Sequence, residues 1–218
     1  MLPMLGAIDD MNRNAGRTPV PTATLAMRDL PTLAEPTYRA LITPAPPTGW
    51  TGFDPVVGVT WASEIARAWA PDARLTRIDL GLIASDGSAD LTADREETVG
   101  YRFSSPSRIA QWSRIADREA DATVPFELLI RVAGKQVAVY VHNGRPPSEA
   151  LPPPLDSLPL RDVLTHAHQS GRFPDRPFYT GFLIHETRIG WVWTFQSLSG
   201  RDNVPIVRAH DAAVYPWP

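Results

Sequence analysis

Residues 126–141 read FELLIRVAGKQVAVYV, and this stretch settles the kind of fold. Phe126, Leu128, Ile130 and Val132 recur at every second position, as do Val137, Val139 and Val141. A period of two puts each set on one face of a strand. Ala133-Gly134-Lys135-Gln136 lies between the sets, and Gly134 at the first central position predicts a type II′ hairpin turn. A hairpin with one apolar face needs cover, so the chain must also supply helices with a matching stripe.

Upstream, Thr60 is positioned to cap a helix over 61–70 in which Trp61, Ile65 and Trp69 share a face, and Pro71-Asp72 stops it. Ile78, Leu80 and Leu82 then alternate as a strand, Ser85-Asp86-Gly87-Ser88 is a turn, and Val99, Tyr101 and Phe103 alternate as a second strand closed by Ser104-Ser105-Pro106-Ser107. Downstream of the hairpin, residues 143–159 lose all periodicity and read as a semi-rigid Pro-rich linker. Asp156 or Ser157 is placed to cap a second helix with Leu160, Val163, Leu164 and Ala167 on one face and Gly171 as its stop. Strands follow over 178–185 and 190–197, the latter with Trp191, Trp193 and Phe195 on one face, and one or two closing strands over 204–215.

Ahead of all this, residues 12–49 are rich in Pro, Thr and Ala and show no helical or strand period. They read as an extended arm, since each Pro removes an amide donor and biases its predecessor away from helix. Leu25, Met27, Leu30, Leu33, Tyr38, Leu41 and Ile42 make it more apolar than a linker needs. The organisation expected is therefore an arm (1–49), a first α+β unit (50–142), a linker (143–159) and a second α+β unit (160–218).

The two units share more than element order. Tyr101-Arg-Phe103-Ser-Ser105-Pro-Ser107-Arg108 parallels Trp193-Thr-Phe195-Gln-Ser197-Leu-Ser199-Gly-Arg201, and residues 130–140 (IRVAGKQVAVY) parallel 206–215 (IVRAHDAAVY). The fold class expected is α+β: two related α-β-β-β(β) units, each laying a helix on an antiparallel sheet. Neither buries much surface alone, so they should pack together, helix to helix or sheet edge to edge. The first unit, from the Trp69-Ala-Pro-Asp-Ala-Arg74 helix end through the Asp86-Gly87 turn to the aromatic-x-Phe-x-Ser-Pro-Ser motif, resembles small helix-plus-meander domains of the PepSY and cystatin-like kind. The second unit is a fainter echo. The resemblance implies a binding, inhibitory or assembly role. The cystatin loop motif Gln-x-Val-x-Gly is absent, because Gln136-Val137-Ala138-Val139-Tyr140 departs at the third and fifth places, so no binding residue carries over.

Composition narrows function. The chain of 218 residues carries 21 basic and 24 acidic side chains, which gives no broad positive field for nucleic acid. All the basic residues except Lys135 are Arg, as expected of a GC-rich, bacterial genome. No run approaches the roughly 20 apolar residues of a membrane span. The opening residues lack a basic region and meet Asp9-Asp10 early, so they do not read as a secretory signal and the expected compartment is the cytoplasm. There are no cysteines, which removes disulfides, thiol catalysis and sulfur-ligated metals.

Catalytic signatures are missing too: no nucleophile elbow, P-loop, dinucleotide turn, HExxH or EF-hand loop occurs. His166 and His168 fall about 200° apart on a helix and cannot share one ion. His185 and Glu186 point to opposite faces of a strand, and His142 and His210 read as solvated residues at strand ends. Asp90, Asp94, Glu96 and Glu97 lack calcium-loop spacing. The Arg108–Asp121 run reads as surface ion pairs. Trp50, Phe53, Trp61, Trp69, Trp112, Trp191 and Trp193 read as core. Trp217, next to Tyr215-Pro216 at the C-terminus, is costly to expose and so marks an interface.

The expectation is a non-catalytic protein-interaction or assembly component, without cofactor or metal. It would dock on another protein through Leu30, Leu33, Tyr38, Leu41 and Ile42 of the arm and Tyr215 and Trp217 of the tail. The alternatives are a small-ligand domain with a pocket between helix and sheet, or an enzyme with a His/carboxylate site its motifs do not advertise. Sequence gives no oligomeric state.

Overall fold

The computed structural model describes residues 46, 49–92, 99–116, 124–144, 151–196 and 203–216. The arm residues Leu30, Leu33, Tyr38, Leu41 and Ile42, and Trp217, lie outside the described residues.

The first helix begins in a turn organised by one carboxylate. Asp54 Oδ1 accepts hydrogen bonds from the amides of Val56 (2.8 Å) and Val57 (3.3 Å), and the Asp54 carbonyl accepts from Gly58 at 3.1 Å. The chain is thus already wound at Gly58, and α1 (Val59–Trp69) starts there without a side-chain cap. Thr60, the expected cap, lies inside the first turn. The buried stripe is Ala62, Ala66 and Trp69, with Trp61 and Ile65 only partly covered. It keeps Trp69 of the expected Trp61-Ile65-Trp69 face but centres on Ala62 and Ala66, with Trp61 and Ile65 flanking them against the core. A Cβ on Gly58 would come within 2.3 Å of both the Phe53 ring and the Tyr101 hydroxyl. Ala70 is extended ahead of Pro71, as a residue before proline prefers.

β1 (Arg74–Ala84) buries Ile78 and Leu80 as expected. A register shift between Leu80 and Ile83 then turns the strand by one residue, so Ile83 enters the core in place of Leu82. After β2 (Val99–Ser104) the run read as surface ion pairs, to which no element was assigned, opens as a helix, α2 (Pro106–Ala116). Pro106 takes the first helical position and Ser105 Oγ accepts from the Arg108 amide at 3.3 Å, a proline start behind a serine cap. Residues 117–121 lie outside the described residues. The helix carries a sparse stripe of Ile109, Trp112 and Ile115, each partly covered.

β3 (Val124–Ala133) and β4 (Gln136–Gly144) form the expected hairpin. Its turn differs. Gly134 has φ 55° and Lys135 φ 58°, and two left-handed residues make a type I′ turn, not II′. Lys135 is held there by a bond outside the hairpin, its amide donating to the Leu91 carbonyl at 2.9 Å.

α3 (Leu160–Gln169) buries Leu160, Val163, Leu164 and Ala167 as expected. Neither Asp156 nor Ser157 caps it. Pro159 precedes the helix, and the Arg161 amide is met by Asp54 Oδ2 at 3.2 Å. The chain ahead of α3 is tied to the second half: Trp191 Nε1 donates to the Pro154 carbonyl (3.2 Å) and the Leu158 amide to the Ala209 carbonyl (3.0 Å). β5 (Phe178–Glu186), β6 (Gly190–Gln196), β7 (Asn203–Arg208) and the short β8 (Val214–Tyr215) complete the fold.

All the strands join one antiparallel sheet in the order β4-β3-β2-β1-β5-β6-β7-β8. The order counts down to β1 and up from β5, so each half lays a meander outward from the central pair, where Ile78 opposes Leu183 and Asp79 opposes Phe182. The fold is the α+β arrangement of helices on an antiparallel sheet that the patterning implies. Its core lies on the helix side, where Tyr101, Phe103, Tyr179, Trp193 and Phe195 are fully buried with Phe53. The Tyr101 hydroxyl, the polar tip of this core, donates to the Pro55 carbonyl at 2.9 Å. No helix among the described residues is long and apolar enough to cross a membrane.

Candidate functional site

Leu129, Val192 and Ile206 are buried outside the helix-side cluster, on the other face of the sheet. Strand alternation places Arg77 and Asp79 of β1, Arg102 of β2, Glu127 and Arg131 of β3 and His142 of β4 on that same face. They form a ladder. Arg77 Nε donates to Asp79 Oδ1, Arg102 Nε donates to Asp79 Oδ2 at 2.7 Å, and Arg102 Nη1 reaches Glu127 Oε1 at 3.3 Å. Gly100 stands opposite Asp79. The Arg77 guanidinium lies 4.3 Å from the Phe182 ring centroid across the central pair, and Arg131 lies 5.3 Å from that of Tyr140. Both oxygens of Asp79 are engaged, so the ladder suits holding strands in register.

His142, expected to be a solvated residue, is half-buried opposite Glu127. Burial holds its imidazole below the ordinary range, with Arg102 and Arg131 acting in the same direction and Glu127 opposing.

A second cluster joins the end of α1 to the start of α2. Ser105 Oγ donates to Asp72 Oδ1 (2.7 Å), the Ser107 amide donates to Asp72 Oδ2 (2.7 Å), and the Ser105 and Ser107 hydroxyls lie 3.1 Å apart. Burial pushes the Asp72 carboxyl up, but these hydrogen bonds outweigh it and the net shift is downward. Arg108 packs over Trp69 at 4.6 Å and donates to the Trp69 carbonyl at 3.3 Å. Burial lowers its guanidinium pKa, partly offset by Asp72. The cluster explains the aromatic-x-Phe-x-Ser-Pro-Ser-Arg motif: Tyr101 and Phe103 enter the core, Ser105 caps, and Arg108 clamps two helices. In the parallel stretch Trp193 and Phe195 are buried likewise, while Ser197, Ser199 and Arg201 lie outside the described residues.

The two histidines of α3 part company. His166 Nδ1 lies 2.7 Å from the Asp162 carbonyl one turn earlier. His168 turns inward among Phe173 and Tyr179, with Nε2 2.8 Å from the Tyr179 hydroxyl. That hydroxyl donates to the Pro174 carbonyl (2.7 Å) and accepts from the Arg176 amide (3.0 Å), so His168 must carry its proton on Nε2 to complete the set. Burial raises the Tyr179 phenol. His185 sits edge-on to Trp191, centroids 5.6 Å apart. His210 is exposed, 3.6 Å from Asp211, whose carboxyl the Arg208 hydrogen bonds lower to about 2.

Of the expected docking residues only Tyr215 is described. It pairs with Ile206 in β8, partly buried, with the Arg208 guanidinium 5.5 Å from its ring centroid. Phe53, Trp69, Trp191 and Trp193 are buried and Trp50 and Trp61 pack against the core, as core aromatics do. Sequence reading missed Asp54 and Ser105 as caps. The signals present were an Asp-Pro turn before a helix and a Ser-Pro pair after a strand.

The chain matches no family model, no curated protein and no solved structure.

Proposed function

We propose that the protein is a non-catalytic interaction or assembly component of the cytoplasm, docking on another protein through its N-terminal arm (Leu30, Leu33, Tyr38, Leu41 and Ile42) and its C-terminal tail (Tyr215 and Trp217). The supporting observation is the anchorage of Tyr215. A two-residue strand ties it to Ile206 and Val207, its ring lies by Arg208, and Pro216 follows at once. The chain is therefore held on the outermost strand of the sheet two residues before Trp217, and a docking aromatic close to a fixed point of the chain loses little freedom on binding.

The test is amide exchange over residues 12–49 and 210–218 of the full chain, alone and in host lysate, beside the variant W217A. Protection gained only in lysate, and lost in W217A, supports docking. Protection already complete in the isolated chain, or unchanged by W217A, overturns it.

A further inference from the structure

The two ends of the sheet are built differently. β8 has two residues and ends at Pro216, a blunt edge that accepts little pairing. β4 has nine, paired with β3 along its length, and no strand among the described residues lies beyond it. Its sequence QVAVYVHNG contains none of the Lys, Asp, Glu or Pro residues with which natural edge strands discourage further pairing.

The hairpin fixes which backbone groups face out. A two-residue turn is closed by a hydrogen-bonded pair, here Ala133 and Gln136. Alternation then sends the amides and carbonyls of Gln136, Ala138, Tyr140 and His142 toward β3, and those of Val137, Val139 and Val141 away from it. The same valines point their side chains to the helix side, where Val137 and Val139 are fully buried.

We infer that β4 pairs antiparallel with β4 of a second copy of this chain, about a two-fold axis at Val139. In that register Val137, Val139 and Val141 meet Val141, Val139 and Val137 of the second copy, each pair exchanging both backbone hydrogen bonds. The valine row continues across the junction, as β-branched pairs favour. On the opposite face Tyr140 meets Ala138 of the second copy, a large side chain against a small one. A strand without charge has no sign for a charged partner to complement, and nothing repels its own image. The blunt β8 edge cannot extend the sheet further, so the contact is isologous and closes at a dimer. The molecule already contains a junction of this kind where β1 and β5, the first strands of two meanders, pair antiparallel at its centre. The inference does not depend on the docking of the arm or tail.

The experiment uses the full chain in three forms. Light scattering during gel filtration should give a dimer for the native chain and a monomer for V139P, which removes an outward amide and leaves the β3 ladder intact. The chain has no cysteine, so A138C/Y140C carries only the two thiols that the register sets opposite each other. They form a non-hydrogen-bonded pair, with Cα atoms about 4.5 Å apart and within disulfide reach. Mild oxidation should therefore yield a covalent dimer. Amide exchange of the native chain supplies a readout independent of either variant: Val137, Val139 and Val141 should lose protection on dilution while Ala138 and Tyr140 keep theirs. A native chain that stays monomeric at about 100 μM overturns the proposal, well above the Kd range of specific interfaces. So does a dimer that leaves these valine amides unprotected, or a monomer in which they are protected by another segment of the same chain.

Discussion

Asp54 Oδ2 accepts a hydrogen bond from the Arg161 amide at 3.2 Å, so a carboxylate from ahead of the first helix completes the start of the third. Its other oxygen organises the turn into α1. Removing it should be felt in both helices. D54A is expected to lower stability by about 1–2 kcal/mol, the usual cost of a lost cap, and the melting temperature by roughly 2–8 °C at this size. Thermal melts give the magnitude, and faster exchange at the Arg161 amide locates it. A melt within 1 °C of the native chain would refute the double role.

Gly181 and Gly100 sit in strands on either side of β1 but differ in room. A Cβ at Gly181 would stand 2.2 Å from the Thr194 carbonyl oxygen, whereas one at Gly100 meets its nearest neighbour, Asp79 Cβ, at 3.5 Å. G181A should therefore cost roughly 1–3 kcal/mol through a forced backbone shift, and G100A less than about 0.5 kcal/mol, as an accommodated substitution does. Paired urea titrations compare them directly, and equal midpoints would contradict the packing described.

Lys135 occupies a left-handed backbone conformation at φ 58°, strained for any residue with a Cβ. K135G should relieve about 1 kcal/mol of that strain, less a few tenths for the added freedom of the unfolded chain. The Leu91 contact uses only the backbone amide and survives the change. The midpoint of unfolding should rise; a fall would mean that the lysine side chain holds the turn.

His142 sets an acid limb. Its folded pKa lies below the ordinary 6.5, chiefly because burial disfavours the charged ring, while Arg102 and Arg131 push the same way and Glu127 opposes. The unfolded chain therefore takes up a proton at higher pH than the folded one. The stability tied to the neutral ring is in place above about 6.5 and is lost as pH falls, until the folded ring itself protonates. H142Q should flatten the stability profile between about pH 7 and pH 5, the window in which an ordinary histidine titrates. Urea midpoints across that window decide it, and parallel profiles for the two chains would remove His142 as the cause.

What could be read from the chain alone was whatever is periodic. The valine alternation of β4 and the Leu160-Val163-Leu164-Ala167 stripe of α3 each repeat at the spacing their element imposes, and both stand where expected. The departures came where a contact distant in sequence decided. The phase of β1 turns at Leu80 to Ile83 because of β5, and α3 takes its cap from Asp54. The Lys135 amide bonds Leu91 in a turn of the other type. α2 was hidden because its large apolar residues are few, Ile109, Trp112 and Ile115 among small and polar side chains. Much of the expected docking surface, in the arm and at Trp217, carries no such period, and the anchorage of Tyr215 depends on Ile206 and Arg208 across a strand pair.

The sheet order also bears on how the chain is made. Synthesis runs from β1 to β4 before α3 and β5 exist, and β1, central in the finished sheet, is until then an outer strand presenting the backbone that later pairs with residues 178–184. A nascent first half thus carries a long unsatisfied margin beside Ile78, Leu80 and Ile83, the kind of margin on which chains aggregate. Pairing of β5 with β1 ends that exposure, so truncation anywhere between β4 and β5 should yield insoluble material, read as the soluble fraction of the shortened chain beside the full one.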